Sequence, residues 1–197
     1  MKLDLKELHN TYFVMRHGQS LANHEELIIS TPERGVEGYG LTKEGEEQVR
    51  VSAEQAKSEG VLGTTAIFVS SDFARAKETA EIASRVLGAL EPTITPLLRE
   101  RNFGQFEGTH NSNYEKAWEV DAVKASHEGT GIEEVRDVRT RALKLISELE
   151  EKYQGKNIVL VSHGDTLQIL LTAFAQREPH EHRSLNHLQT AEIRRCN

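Results

Sequence analysis

The sequence is poor in the residue types that mark several large classes of protein. Among 197 residues there is one cysteine, Cys196. An intramolecular disulfide is therefore impossible, and a cysteine-based zinc site is excluded. Four prolines and no low-complexity stretch leave little room for long disordered segments. No run comes near the ~18 apolar residues of a membrane-spanning helix. The opening segment, Met1 to Glu7, lacks the apolar core of a secretory signal, so a cytoplasmic location is expected. Positive charge is also scarce. Lys and Arg number 24 against 31 Asp and Glu, a formal charge of −7. Such a surface suits neither nucleic acid nor an anionic membrane, and neither is expected as a partner. A small anionic substrate stays compatible, because a pocket can be basic within an acidic surface.

What is present fits a globular fold. At about 100–200 residues per domain, the length predicts one domain over residues 1–197. Short apolar runs alternate with helical patterns. Thr11 to Met15, Ala66 to Val69 and Ile158 to Val161 are too short for helices and rich in β-branched or aromatic residues, so they predict buried strands. Ile94 to Leu98 and Ala191 to Arg195 are weaker strand candidates.

Between the strands lie amphipathic segments. One helix is predicted after Leu41, with Thr42 as N-cap, Glu44 and Glu46 in its first turn and Gly60 as its stop. A second starts near Ser71 or Asp72 and buries Ala76, Ala80, Ala83 and Leu87. A third runs from about Glu133 to Tyr153, with Val135, Val138, Ala142, Leu145, Ile146 and Leu149 at helical spacing and Gly155 beyond its end. A fourth follows His163 and buries Leu167, Leu170, Leu171 and Phe174. This alternation predicts an α/β fold, a mostly parallel sheet with helices on both faces. Residues 101–131 are the least periodic and are expected to form an excursion of loops with one helix near Tyr114 to Lys124.

In open α/β sheets, ligands bind beyond the carboxyl ends of the strands. Arg16-His17-Gly18 follows the first strand. Ser70-Ser71-Asp72 follows the second, with Arg75 one turn on. Ser162-His163-Gly164 follows the third. Two arginines and two histidines thus reach one rim. The arginine fork matches phosphate oxygens, and a neutral imidazole can attack phosphorus. The glycines allow close backbone approach.

These blocks resemble the histidine phosphatase superfamily, the phosphoglycerate-mutase-like family. Besides Arg16-His17-Gly18, the segments Leu41 to Gln48, Ser70 to Ala80, Leu98 to Gly108, Val161 to Gly164 and Ala191 to Ile193 are similar to family motifs in the same order, from about Tyr12 to the C-terminus. The resemblance implies a three-layer sandwich. It implies that His17 is the nucleophile that becomes phosphohistidine. Arg16, Asn23, Arg75 and His163 would bind the phosphate, His163 also acting in catalysis. Glu100 would be the general acid and base. No metal or other cofactor is implied.

Two departures bear on the reaction. Gly129 to Glu134 differs from the Gly-Gly-Glu-Ser often found before the long helix. The stretch after Gly108 lacks the paired arginines expected of glycolytic mutases. Both favour a phosphomonoesterase over a phosphoglycerate mutase-type phosphotransferase. A non-catalytic phospholigand-binding module is a third reading, which would need the Arg/His cradle but no acid.

Blander roles stand beside these. Glu100 could pair with a neighbouring arginine, Asn23 could only shape its loop, and Gln105 and Glu107 suit loop contacts. Phe103, Phe106, Tyr114 and Trp118 could line a pocket or build a local core. His180, His182 and His187 have the spacing of a weak metal-site candidate, for which a His-rich loop is the simpler account. His9, His24, His110 and His127 are expected in exposed loops.

Overall fold

In the computed structural model, which describes residues 5 and 7–197, the chain alternates strand and helix. Most of the opening segment read for a secretory signal lies outside the described residues. The order is β1 (Thr11–Arg16), α1 (Leu21–His24), α2 (Pro32–Gly35), α3 (Lys43–Ser58), β2 (Ile67–Ser71), α4 (Ala74–Leu87), β3 (Thr93–Thr95), α5 (Tyr114–Ala122), α6 (Val135–Lys152), β4 (Asn157–Ser162), α7 (Gly164–Phe174) and β5 (Ile193–Arg195). The sheet runs β3-β2-β4-β1-β5. Its pairs are parallel except β1 with β5.

Strand side chains alternate between faces, and each face carries its own core. Phe13, Met15, Phe68, Val159 and Val161 pack against Val49 and Ala53 of α3 and Ala76, Ala80 and Leu87 of α4. Tyr12, Val14, Val69, Ile158 and Leu160 pack against Leu145, Ile146 and Leu149 of α6 and Leu167 and Leu170 of α7. The mostly parallel sheet flanked by helices follows directly. At about 1.5–3 kcal/mol per large apolar side chain buried, these two layers supply the main drive to fold.

Local signals act as the sequence suggests, with shifts at the ends. Thr42 caps α3 by accepting from the Gly45 amide. α4 begins at Ala74 rather than Ser71 or Asp72, because β2 runs on through Ser71. The expected strand at Ile94 to Leu98 is only β3. Pro96 has no amide hydrogen to continue a ladder, and Pro96–Leu98 forms a 3-10 turn instead. The last strand starts at Ile193 rather than Ala191, whose φ of 59° takes it out of extended backbone. Phe174, expected to be buried, is only partly so.

The excursion is more structured than expected. It holds two 3-10 turns, Gly104–Phe106 and Asn111–Asn113, before α5. Ile28, Phe103, Ala117 and Ile132 form a small core beneath it. A buried ionic cluster fixes it to α7. Arg101, fully buried, donates to both carboxylate oxygens of Asp121 (2.6 and 2.9 Å) and to Asp165 (3.2 Å). His127 joins this cluster through Asp121 at 2.8 Å. It is buried, contrary to expectation; the partner that draws it inward, Asp121, lies six residues earlier in another element. His9, His24 and His110 are exposed. Removing one partner of a buried ion pair costs about 3–5 kcal/mol, because the charges left behind are uncompensated. Arg101→Met is expected to lose stability on that scale in urea melts. A loss below about 1 kcal/mol would show that the cluster is not holding the excursion.

Candidate active site

The sheet order makes β1, β2 and β4 neighbours, so their carboxyl ends deliver side chains to one place. His17 leaves β1 with its amide on Ser162 O (3.0 Å) and its carbonyl accepting from Ala191 N (3.2 Å). Arg75 comes from the first turn of α4, and His163 stands at the N-cap of α7. His17, Arg75, Glu100 and His163 are 3%, 4%, 7% and 0% exposed. Ionisable groups so buried rarely sit idle.

Gly18 uses its missing side chain against the protein. A Cβ there would lie 2.5 Å from Gly45 O in α3. The turn after His17 is thus seated on the first turn of α3, rather than left open for a ligand.

Hydrogen bonds fix both imidazole tautomers. Nδ1 of His17 lies 2.7 Å from Gly18 O, which can only accept, so Nδ1 carries hydrogen and Nε2 keeps its lone pair. Arg75 Nε donates to that Nε2 (3.2 Å) and to Nδ1 of His163 (3.1 Å). His163 must then donate from Nε2 to Ser71 Oγ, 2.9 Å away. Burial, then the Arg75 charge, holds both histidines well below their ordinary pKa. Both are neutral bases at physiological pH.

Glu100 has neither neighbouring arginine as a partner. Arg99 is taken by Asp72 (2.6 Å) and Arg101 by Asp121 and Asp165. Its Oε1 accepts from the amides of Arg101 (2.9 Å) and Thr166 (3.2 Å). Burial, then Asp165, raises its pKa above the ordinary value. Asp165 behaves in the opposite way. Burial pushes it up, but His182 and Arg101 together pull it well below.

Arg16 Nη1 donates to Leu188 O (2.8 Å) and approaches His187 Nε2 (2.9 Å). Two buried guanidinium nitrogens, Arg16 Nε and Arg75 Nη1, find no partner among the described residues. Both arginines stay charged. Ser20 caps α1, and Asn23 completes the capping box, its Oδ1 accepting from Ser20 N (3.0 Å); Asn23 also lines the pocket. Glu107 holds a loop, accepting from Ser30 N at 2.7 Å.

The pocket these groups line has a volume of about 210 Å³. A wider groove of about 790 Å³, between α3 and β5, contains no arginine or histidine. Tyr114 and Trp118 of α5 line the pocket, whereas Phe103 is in the local core. The three clustered histidines diverge. His182 faces Asp165 at 3.4 Å, His187 meets Arg16, and His180 lines a separate cleft. Arg183, His187 and Asp165 also line the pocket. Arg183 and Asp165 carry no motif that marks them for the pocket, and His187 reads from sequence as part of a histidine cluster. Asp165, two residues after His163, was the most accessible of the three.

Known proteins of similar structure include a mycobacterial hydrolase (TM-score 0.76, 24% identity, 94% of this chain and 87% of that one). A mycobacterial glucosyl-3-phosphoglycerate phosphatase aligns at TM-score 0.75 and 24% identity, over 94% and 88%. A phosphoserine phosphatase of Entamoeba histolytica, in complex with 3-phosphoglyceric acid, aligns at 0.74 and 21%, over 94% and 89%. At these identities the likeness is one of fold. In sequence, “Probable phosphoglycerate mutase GpmB” of Salmonella paratyphi C is 32% identical over 165 residues, 81% of this chain and 72% of that protein. The family model of the histidine phosphatase superfamily, branch 1, matches residues 12–197, a span that takes in every side chain of the pocket. The chain belongs to that superfamily.

Proposed function

We propose that the chain is a phosphomonoesterase that works without a metal, through a phosphohistidine on His17, with Glu100 as general acid and base. One observation carries the proposal. Arg16 and Arg75 line the pocket of a neutral, buried imidazole, and each has one buried N–H with no partner among the described residues. Leaving such a donor unmet costs about 1–3 kcal/mol, and phosphoryl oxygens would satisfy both. The same two charges would stabilise the transition state, the task a metal performs elsewhere.

In the first step Nε2 of His17 bonds to phosphorus as the ester P–O bond breaks. The departing alkoxide takes the proton of Glu100, whose raised pKa suits it to hold one. Arg16, Arg75, His163 and Asn23 bind the phosphoryl oxygens. In the second step water bonds to phosphorus, Glu100 carboxylate takes its proton, and the N–P bond breaks. The sum is ester plus water giving alcohol plus phosphate. Residues 1–197 act as one domain, with 101–131 as the excursion over the site.

The name of the Salmonella relative favours a second reading, phosphoryl transfer between hydroxyls. Against it, this chain has no arginine between Asn102 and Gly131 with which to retain a product. Incubation with a panel of small phosphomonoesters in EDTA separates the two. Free phosphate released in step with alcohol is the expected result. A rearranged ester without free phosphate would establish transfer, and loss of activity on chelation would overturn metal independence.

A further inference from the structure

The pocket contains more positive charge than a phosphoryl group uses. Arg16 and Arg75 answer to the phosphate. Arg183, from the 3-10 turn Pro179–Ser184, is a third guanidinium on the same pocket and forms no ion pair among the described residues. The carboxylate facing it from α7, Asp165, is already engaged by Arg101 (3.2 Å), His182 (3.4 Å) and Trp118 Nε1 (2.9 Å).

Arg183 is also held in a defined pose. Its guanidinium lies 3.7 Å from the Trp118 ring centroid, and Trp118 stacks on Tyr114 with 9° between the rings. Nη1 donates to Oε1 of Gln168, a buried residue of α7. The same Oε1 accepts from His187 Nδ1 (3.1 Å), so one amide anchors this whole segment. With its face covered and Nη1 used, Arg183 keeps the Nε–Nη2 edge, which makes no hydrogen bond among the described residues. That edge is a side-on fork for a carboxylate.

We propose that Arg183 binds a carboxylate on the substrate, which makes phosphorylated hydroxy acids the substrate class. The proposal rests on the phosphatase reading of the site. It places acid recognition on the segment after α7 rather than on the 101–131 excursion, where the sequence has no arginine pair. A pocket of about 210 Å³ suits a molecule of a few carbons. Trp118 and Gln168 are the positioning residues for Arg183.

The test compares 3-phosphoglycerate with glycerol 3-phosphate, which differ by a carboxylate in place of a hydroxymethyl group. Wild-type enzyme is expected to favour the acid in kcat/KM. In Arg183→Gln that preference falls about 10- to 100-fold, the size of one charge-assisted pair. Arg183→Lys retains part of it. No wild-type preference, a preference that survives Arg183→Gln, or equal losses on both esters would overturn the assignment. If neither ester is hydrolysed, the phosphatase reading fails by itself. Calorimetric binding of the two esters to His17→Ala, with and without Arg183→Gln, then decides the role of Arg183. A selectivity in Kd that Arg183→Gln removes upholds it, and equal Kd values overturn it.

Discussion

His17→Ala is expected to lower kcat for phosphate release by about 10³-fold or more, the scale of losing a covalent nucleophile. The reason is specific to Nε2. His17 holds its hydrogen on Nδ1 against Gly18 O, so Nε2, whose one contact is the bond from Arg75 Nε (3.2 Å), keeps the lone pair. His163 shares the same Arg75 Nε through its Nδ1, and its Nε2 is held by Ser71. The backbone bonds from His17 to Ser162 and Ala191 do not involve the side chain, so the strand end stays in place. An unchanged thermal midpoint together with retained phosphate binding would show that chemistry alone is lost. In wild type, brief incubation with labelled ester should leave label on protein that is released by acid and stable to alkali, and the variant should take up none. Retention of a tenth of wild-type activity by His17→Ala would exclude the phosphohistidine route.

The second large effect concerns Glu100. Glu100→Gln is expected to slow hydrolysis of alkyl phosphates about 10²- to 10⁴-fold, the usual contribution of a placed acid and base. An aryl phosphate with a good leaving group should suffer less in the first step, because its oxyanion needs no proton. The pH profile gives an independent reading. His17 must be unprotonated to attack, and burial and Arg75 depress its pKa below 6.5, so activity rises as pH climbs through that depressed value. Glu100 must be protonated for the first step, and burial and Asp165 raise its pKa above 4.5, so activity falls as pH climbs through that raised value. The wild-type profile is therefore a bell, rising with deprotonation of His17 and falling with deprotonation of Glu100. Gln cannot titrate, so the falling limb belonging to Glu100 should vanish in the variant. Titration of the ester itself is common to both enzymes and cancels in their ratio. A falling limb unchanged in Glu100→Gln would assign it to another group.

The parts of this protein that are legible in its sequence are those with local physical causes. Thr42 with Glu44 and Glu46 announces α3, and the spacing from Val135 to Leu149 announces α6. The strands that end at Arg16, Ser71 and Ser162 could be found from apolar runs, and their ends point to the pocket. The four-residue helices α1 and α2 have no period to detect. The ionic cluster of Arg101, Asp121, His127 and Asp165 joins three elements by contacts that leave no spacing in the chain. For the same reason, His187 reads as a member of a histidine-rich loop, and Arg183 carries no signal in the sequence. What places them at the pocket is Gln168, an ordinary polar position on a helix read only for its leucines.

The pairing of β1 with β4 has a consequence for how the protein is made. The register runs from Thr11↔Asn157 to Arg16↔Ser162, so the two central strands come from opposite ends of the chain. Closing so long a loop carries an entropy cost before any contact repays it, and folds dominated by such pairings reach the native state slowly. During synthesis, β1 emerges early and stays without its central neighbour until Asn157–Ser162 has left the ribosome. Until then the apolar strand Thr11–Arg16 is an open edge, able to pair with other chains. The central neighbour of β1 and the site histidine His163 thus arrive together, with the same strand.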